Sequence, residues 1–186
     1  MIKVTLIVAL VLLGSVAVFA DATTHTAGWK SFLRQELPIL GHRNWIVIAD
    51  SAYPAQNSAG IVTVETGASQ LEVVQEVLRQ LGTSRHVAPI LYVDAELKHL
   101  TDKLAPGVDQ YKKDLYRIVS GRPVQGVLHG DMISRLDEAG KTFKVVILKT
   151  TMTLPYTTVF LNLDCKYWGP AKEKQLREVM KKHSGG

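Results

Sequence analysis

Cysteine is almost absent from this chain, whose 186 residues include only Cys165. A single cysteine cannot form an intramolecular disulfide, so the fold has to rest on its apolar core. Cys165 follows an apolar run at residues 159–163 and has no evident histidine partner at a diagnostic spacing. We therefore expect a small, buried apolar side chain at this position and not a nucleophile.

Several common catalytic signatures are missing as well. The chain has no Gly-x-Ser-x-Gly elbow, no glycine-rich phosphate-binding loop and no His-Glu-x-x-His motif. The histidines other than His42 have no metal-ligand spacing and are His25, His86, His99, His129 and His183. We expect neither a structural nor a catalytic metal ion.

Acidic residues are fewer than basic ones, 17 against 22, which gives a net charge of +5. Several of the positive charges lie in residues 172–182, where they suit the solvated face of a helix. No basic stripe is interleaved with aromatic side chains, so we do not expect nucleic-acid binding.

Long apolar runs are confined to the start of the chain, where Lys3 precedes apolar residues up to Leu13 and residues 14–20 end in Val-Phe-Ala. This pattern predicts a secretory signal peptide at residues 1–20, cleaved after Ala20, and a periplasmic or secreted mature protein. The apolar core is shorter than the roughly 18 to 20 residues that a membrane-spanning helix needs. An uncleaved N-terminal anchor is the alternative.

The rest of the chain is predicted to form one domain, with a flexible polar segment at 21–28, an α/β domain at 29–170 and a charged helix and tail at 171–186. Helical periodicity and strand-like apolar runs alternate along the domain. The predicted helices are 29–37, 69–81, 108–119 and 132–139, and the predicted strands are 45–49, 61–65, 89–93, 124–128, 143–148 and 159–163. This order predicts a mostly parallel sheet covered on both faces, with an antiparallel member because no helix separates the last two strands.

Residues 40–54 stand out because polar residues bracket a short apolar strand. His42 precedes the strand 45–49 and Asp50 follows it, and a titratable group at the end of a buried strand is well placed for acid/base chemistry. The alternative is structural, since Gly-His is an ordinary turn and an aspartate that ends a strand is often a turn or cap residue.

Two segments carry a resemblance to a known family. The first is Leu-Gly-His at 40–42 with Ile-Val-Ile-Ala-Asp at 46–50 and Tyr-Pro at 53–54, and the second is Pro-Tyr at 155–156 before the strand 159–163. Together they resemble the D-ribose pyranase and L-fucose mutarotase family over residues 29–168. The resemblance implies a three-layer α/β/α fold with a mixed, mostly parallel sheet, and an isomerase that interconverts the ring forms of a monosaccharide.

The resemblance also implies roles for individual residues. His42 would be the catalytic histidine, Asp50 its acidic companion and Tyr156 a sugar-contacting hydroxyl. The substrate-binding candidates are Tyr53, Thr158 and His129. Two positions depart from the family pattern, because Asn44 replaces an aspartate and Thr158 replaces an asparagine. These departures leave open a sugar-binding protein without turnover. A purely structural exported α/β module is a third interpretation.

A histidine suits this chemistry because ring opening removes a proton from the anomeric hydroxyl and protonates the ring oxygen. An imidazole exchanges protons in both directions near neutral pH. No C–H bond breaks, so no redox cofactor or metal is called for.

An extended strand of about 3.3 Å per residue sets His42 and Asp50 up to roughly 25 Å apart, too far for one sugar to reach both. Either the turn at Gly41 folds back, or the site combines His42 of one subunit with Asp50 and Tyr156 of a neighbour. The family implied by the resemblance forms ring-like assemblies with sites at subunit contacts. We therefore expect a homo-oligomer, with Trp45, Tyr167 and Trp168 as candidate contact residues.

Overall fold

The computed structural model describes residues 25–183, so the predicted signal peptide and residues 21–24 lie outside the described residues. The helices are α1 (His25–Glu36), α2 (Gln70–Thr83), α3 (Val108–Ile118), α4 (His129–Ala139) and α5 (Pro170–His183). The strands are β1 (Trp45–Ala49), β2 (Ile61–Glu65), β3 (Val87–Asp94), β4 (Val124–Val127), β5 (Val145–Lys149) and β6 (Val159–Cys165). A short 3-10 helix, Ala95–His99, follows β3.

The six strands form one mixed sheet in the order β2-β5-β1-β6-β3-β4. Neighbouring strands are parallel except at β6, which runs antiparallel to both β1 and β3. The predicted mixed, mostly parallel α/β sheet is confirmed, and so is its antiparallel member. Because β6 runs against its neighbours, its amino end lies at the edge where β1 and β3 end.

Side chains of the sheet alternate between two apolar cores. On one face, Ile46 and Ile48 pack with α1, α2 and α3 in a core that includes Trp29, Val74 and Leu115. On the other face, strand residues that include Val47 and Phe160 pack with Met132 and Leu136 of α4. Strand β1 is therefore buried on both faces, which explains its continuous apolar sequence.

The predicted elements are present with shifted ends. Helix α1 begins at His25, inside the segment that the sequence assigns to the polar N-terminal stretch, and α4 begins at His129, before the predicted start at Met132. Helix α2 begins as predicted, because the Ser69 side chain accepts a hydrogen bond from the Glu72 amide at 3.4 Å. In residues 25–183, no helix is long and apolar enough to cross a membrane.

Candidate functional site

Five of the six predicted site residues lie at one edge of the sheet. Asp50 follows β1, His129 opens α4 directly after β4, and Tyr156 and Thr158 precede β6. Tyr53 lies in the loop after Asp50, and its ring meets the His129 ring edge-on with centroids 6.0 Å apart. We call this group, together with Asp94 at the end of β3, the carboxyl-edge cluster. Such an edge of a parallel sheet is a common place for ligand sites in α/β folds.

Asp50 is nearly buried and both of its carboxylate oxygens are engaged. Oδ1 accepts the Ala52 amide at 2.9 Å, and Oδ2 accepts the Thr158 hydroxyl at 3.3 Å. The first contact makes Asp50 the turn residue that the structural alternative describes. The second contact connects the loop after β1 to the start of β6. The Thr158 hydroxyl therefore points at Asp50 and not at solvent.

His129 is held by two acidic residues that the sequence analysis missed. Its Nδ1 lies 2.9 Å from Oδ1 of Asp94, and its backbone N–H donates to the Glu96 carboxylate at 3.1 and 3.2 Å. Burial raises the pKa of Asp94 to about 6, although the hydrogen bond and charge of His129 lower it. The sequence contains one signal that could have identified Asp94: like Asp50, it stands at the end of an apolar strand.

Two tyrosines flank the His129 ring. Tyr156 meets it edge-on at 5.7 Å and is partly exposed, whereas Tyr53 is buried and donates its hydroxyl to Gln56 at 3.1 Å. Burial, with the charges of Asp94 and Asp50, raises the pKa of Tyr53, so its hydroxyl stays protonated. Tyr156 adopts a positive φ of 56°, an unusual conformation for a residue with a side chain, which aims its ring at His129.

A buried polar network supports the segment that carries Tyr156 and Thr158. Gln70 donates its amide to the carbonyls of Ile48 and Thr157 at 2.9 and 2.8 Å, and its oxygen accepts the Thr150 hydroxyl. The Tyr111 hydroxyl also donates to the Thr157 carbonyl at 2.8 Å. These contacts fix the position of the residues on either side of Thr157.

His42 lies at the opposite edge of the sheet from the carboxyl-edge cluster. The turn before β1 does not fold back, because Arg43 and Asn44 exchange backbone hydrogen bonds with Leu163 of β6. The His42 Nδ1 lies 2.7 Å from Asp164 at the end of β6, and the His42 side chain is 56% exposed. One chain therefore does not bring His42 together with Asp50 and Tyr156.

A groove of about 660 Å³ lies beside His42 and is lined by Asp164, Cys165, Tyr167, Trp168 and Glu173, among others. Tyr167 and Trp168 are exposed, as their predicted role in subunit contact requires. The same prediction is wrong for Trp45, which is buried against the Tyr92 ring. Cys165 is only half-buried, because it ends β6 at the rim of this groove.

Asn44, one of the two departures from the family pattern, has a structural role. Its side-chain oxygen accepts the Gly41 amide at 2.6 Å, and its amide donates to the Lys144 carbonyl at 3.2 Å.

Within residues 25–183, no group of three or more histidine, cysteine or acidic side chains could hold a metal ion.

No protein-family model matches this chain, and no curated protein matches its sequence. Among solved structures, Bacillus subtilis RbsD complexed with D-ribose matches with a TM-score of 0.53 and 20% identity, over 72% of this chain and 92% of that chain. The fucose mutarotase of Streptococcus pneumoniae in complex with L-fucose matches with a TM-score of 0.46 and 17% identity, over 70% and 89% of the two chains.

The likeness to RbsD defines the class of fold: this chain has the mixed α/β fold of RbsD. The resemblance that the motifs at residues 40–54 and 155–163 indicate is thereby confirmed at the level of the fold. The roles of the individual site residues remain predictions.

Proposed function

We propose that this protein binds a monosaccharide at the carboxyl-edge cluster and interconverts its ring forms by acid/base ring opening. The observation that carries the proposal is the convergence of Asp50, His129 and Tyr156 at one sheet edge, from three separate parts of the chain. The fold of RbsD, a protein solved with D-ribose, supports a sugar as the ligand.

The residue types suit a sugar. The half-exposed Tyr156 ring provides a face for the apolar side of a pyranose and a hydroxyl for hydrogen bonding, and the His129 side chain is 24% exposed beside it. A positioned imidazole takes the anomeric proton and returns it to the ring oxygen, which is worth about 10² to 10⁴ in rate.

We further propose that His42 of a neighbouring subunit completes the site. His42 is exposed and held by Asp164, and the groove beside it presents Tyr167 and Trp168 as apolar contact surface. The protein is accordingly a homo-oligomer in which each site draws on two chains.

Binding without turnover is the second candidate, and Thr158 favours it. Its side chain is fully buried and donates to Asp50, so its hydroxyl is not presented to a ligand. The Asp50 carboxylate is occupied by the same contact. A site with these two groups engaged would hold a sugar through the remaining side chains.

Exchange NMR on the purified protein with D-ribose, L-fucose and other aldoses tests the proposal. We expect cross-peaks between anomers or ring forms whose intensity grows with protein concentration. Saturation transfer to a sugar without accelerated exchange would support the binding protein. No response to any aldose would contradict both.

Export is a separate proposal and rests on the apolar leader. N-terminal sequencing of the protein recovered from the expressing cells should begin at Asp21. A chain that starts at residue 1 and stays with the membrane fraction would favour the uncleaved anchor.

A further inference from the structure

The side chain of Asp94 is an unusual feature of the carboxyl-edge cluster because it is fully buried and has no lysine or arginine partner within residues 25–183. Its Oδ1 lies 2.9 Å from the His129 Nδ1, and its Oδ2 has no hydrogen-bond partner among residues 25–183. A buried carboxylate normally needs strong compensation for lost hydration. Here the His129 side chain provides a hydrogen bond to the carboxylate, and the backbone N–H of Thr158 also favours its charged form.

His129 is fixed by contacts on several sides. The Glu96 carboxylate accepts its backbone N–H, and the rings of Tyr53 and Tyr156 stand edge-on to the imidazole. Of the two ring nitrogens of His129, Nδ1 is engaged and Nε2 has no hydrogen bond to residues 25–183. The ring is therefore oriented through Nδ1, and the His129 side chain is 24% exposed.

We propose that Asp94 is the positioning residue of this site, because it holds the proton of neutral His129 at Nδ1 and so leaves the Nε2 lone pair to accept the sugar proton. The assignment rests on the proposed function. A carboxylate can only accept a hydrogen bond, so it selects the tautomer that carries hydrogen on Nδ1. The groups that face this pair are Glu96, the backbone N–H of Thr158, Tyr53 and Tyr156.

The proton step balances without any other reactant. Nε2 takes the anomeric hydroxyl proton as the bond between the anomeric carbon and the ring oxygen breaks and the carbonyl forms. The imidazolium then returns that proton to the ring oxygen, which yields the open-chain sugar and neutral His129. Asp94 stabilises the transient imidazolium and does not itself transfer a proton to the sugar.

The tautomer of His129 can be observed directly by long-range ¹H–¹⁵N spectra of the ¹⁵N-histidine-labelled protein at pH 8. His129→Gln identifies the signals by their disappearance. We expect the wild-type ring to carry its proton on Nδ1. In Asp94→Asn the amide can also donate to Nδ1, so the Nδ1–H share should fall, and ring exchange should slow by at least about tenfold.

Two control variants separate this role from general effects. Asp131→Asn removes an exposed carboxylate from the same first turn of α4 and should leave the tautomer and the exchange rate unchanged. Asp164→Asn removes the partner of His42, so it should move the His42 signals and leave the His129 tautomer unchanged.

The outcomes separate a failure of the role assigned to Asp94 from a failure of the proposed isomerase function. A wild-type His129 with its proton on Nε2 would overturn the assignment, even where Asp94→Asn fails to fold. So would a folded Asp94→Asn protein with wild-type exchange. If wild-type protein exchanges no sugar while the tautomer changes as expected, the isomerase proposal fails and the orientation of His129 by Asp94 stands.

Discussion

At the scale of single residues, the two histidine–aspartate pairs of this chain occupy opposite environments. His42 is exposed and lies 2.7 Å from the partly exposed Asp164, whereas Asp94 is buried beneath His129 at 2.9 Å. Exposed pairs contribute about 0 to 1 kcal/mol to stability, so the outer pair can be removed at little cost to the fold. In the proposed assembly, this pair orients His42 toward the neighbouring chain.

Replacing His42 by alanine therefore tests function with little effect on folding. We expect His42→Ala to reduce sugar ring exchange by about 10² or more and to change the unfolding free energy by less than about 1 kcal/mol. Exchange NMR and urea unfolding measure the two quantities. His99→Ala, another exposed histidine, is the control and should change neither. Wild-type exchange in His42→Ala would remove His42 from the mechanism.

Glu76 gives a pH-dependent test of the polar contacts made by α2. The Arg79 hydrogen bond, helped by Gln80 and by the charges of Arg79 and Lys30, lowers the pKa of Glu76 to about 2. Because the folded pKa lies below the unfolded value, the stabilisation is complete above pH 4.5 and is lost as the pH falls toward 2.

We expect Glu76→Gln to lower the unfolding free energy at pH 7 by about 1 kcal/mol, with a difference that shrinks between pH 4.5 and pH 2. Urea unfolding at several pH values measures it. Glu72→Gln removes a more exposed ion pair to Lys30 and should cost less than about 0.5 kcal/mol. A pH-independent difference for Glu76→Gln would contradict the assigned cause.

At the scale of elements, the reversed strand β6 determines which residues can meet. Its direction places residues 156–158 at the edge where β1 and β3 end, and Gln70 of α2 holds this junction. The site thus depends on the contact between Gln70, the first residue of α2, and the loop before β6.

Gln70→Leu should destabilise the protein by about 1 to 3 kcal/mol, because it leaves the buried carbonyl of Ile48 and the Thr150 hydroxyl without this partner. We also expect slower ring exchange, since Thr157, which lies between Tyr156 and Thr158, loses one of the two donors to its carbonyl. Chemical denaturation and exchange NMR provide the readouts. Gln75→Leu, an exposed position on the same helix, should leave both near wild type. Unaltered exchange in Gln70→Leu would show that the network serves stability alone.

At the scale of the whole molecule, the sheet separates His42 from the carboxyl-edge cluster by more than the length of β1, which is about 16 Å for five extended residues. A single chain cannot place one monosaccharide against both edges. Assembly is therefore part of the proposed chemistry.

Mixing two impaired variants tests assembly. We expect His42→Ala and Asp50→Asn to lose exchange when each is alone, and their co-refolded mixture to recover a part of it, because some sites then contain intact residues from both chains. Exchange NMR on the mixture and light scattering on the wild type are the measurements. The unmixed variants at the same total concentration are the controls. A fully active wild-type monomer would contradict the shared site.

The sequence by itself determined the elements and their class. Strand β1 was predictable because a run buried on both faces is continuously apolar, and α2 because Ser69 and its apolar stripe are local signals. The motifs at 40–54 and 155–163 identified Asp50 and Tyr156 as candidates and indicated the fold.

Only the tertiary structure decided which candidates meet. Whether β6 runs parallel or antiparallel to β1 depends on pairing between residues more than 100 positions apart, and that pairing brings Thr158 to Asp50 and leaves His42 with Asp164. Asp94 was missed for the same reason, since its partner His129 belongs to another strand–helix junction 35 positions away. A carboxylate acquires its role from the group that it faces, and the chain alone does not show which group that is.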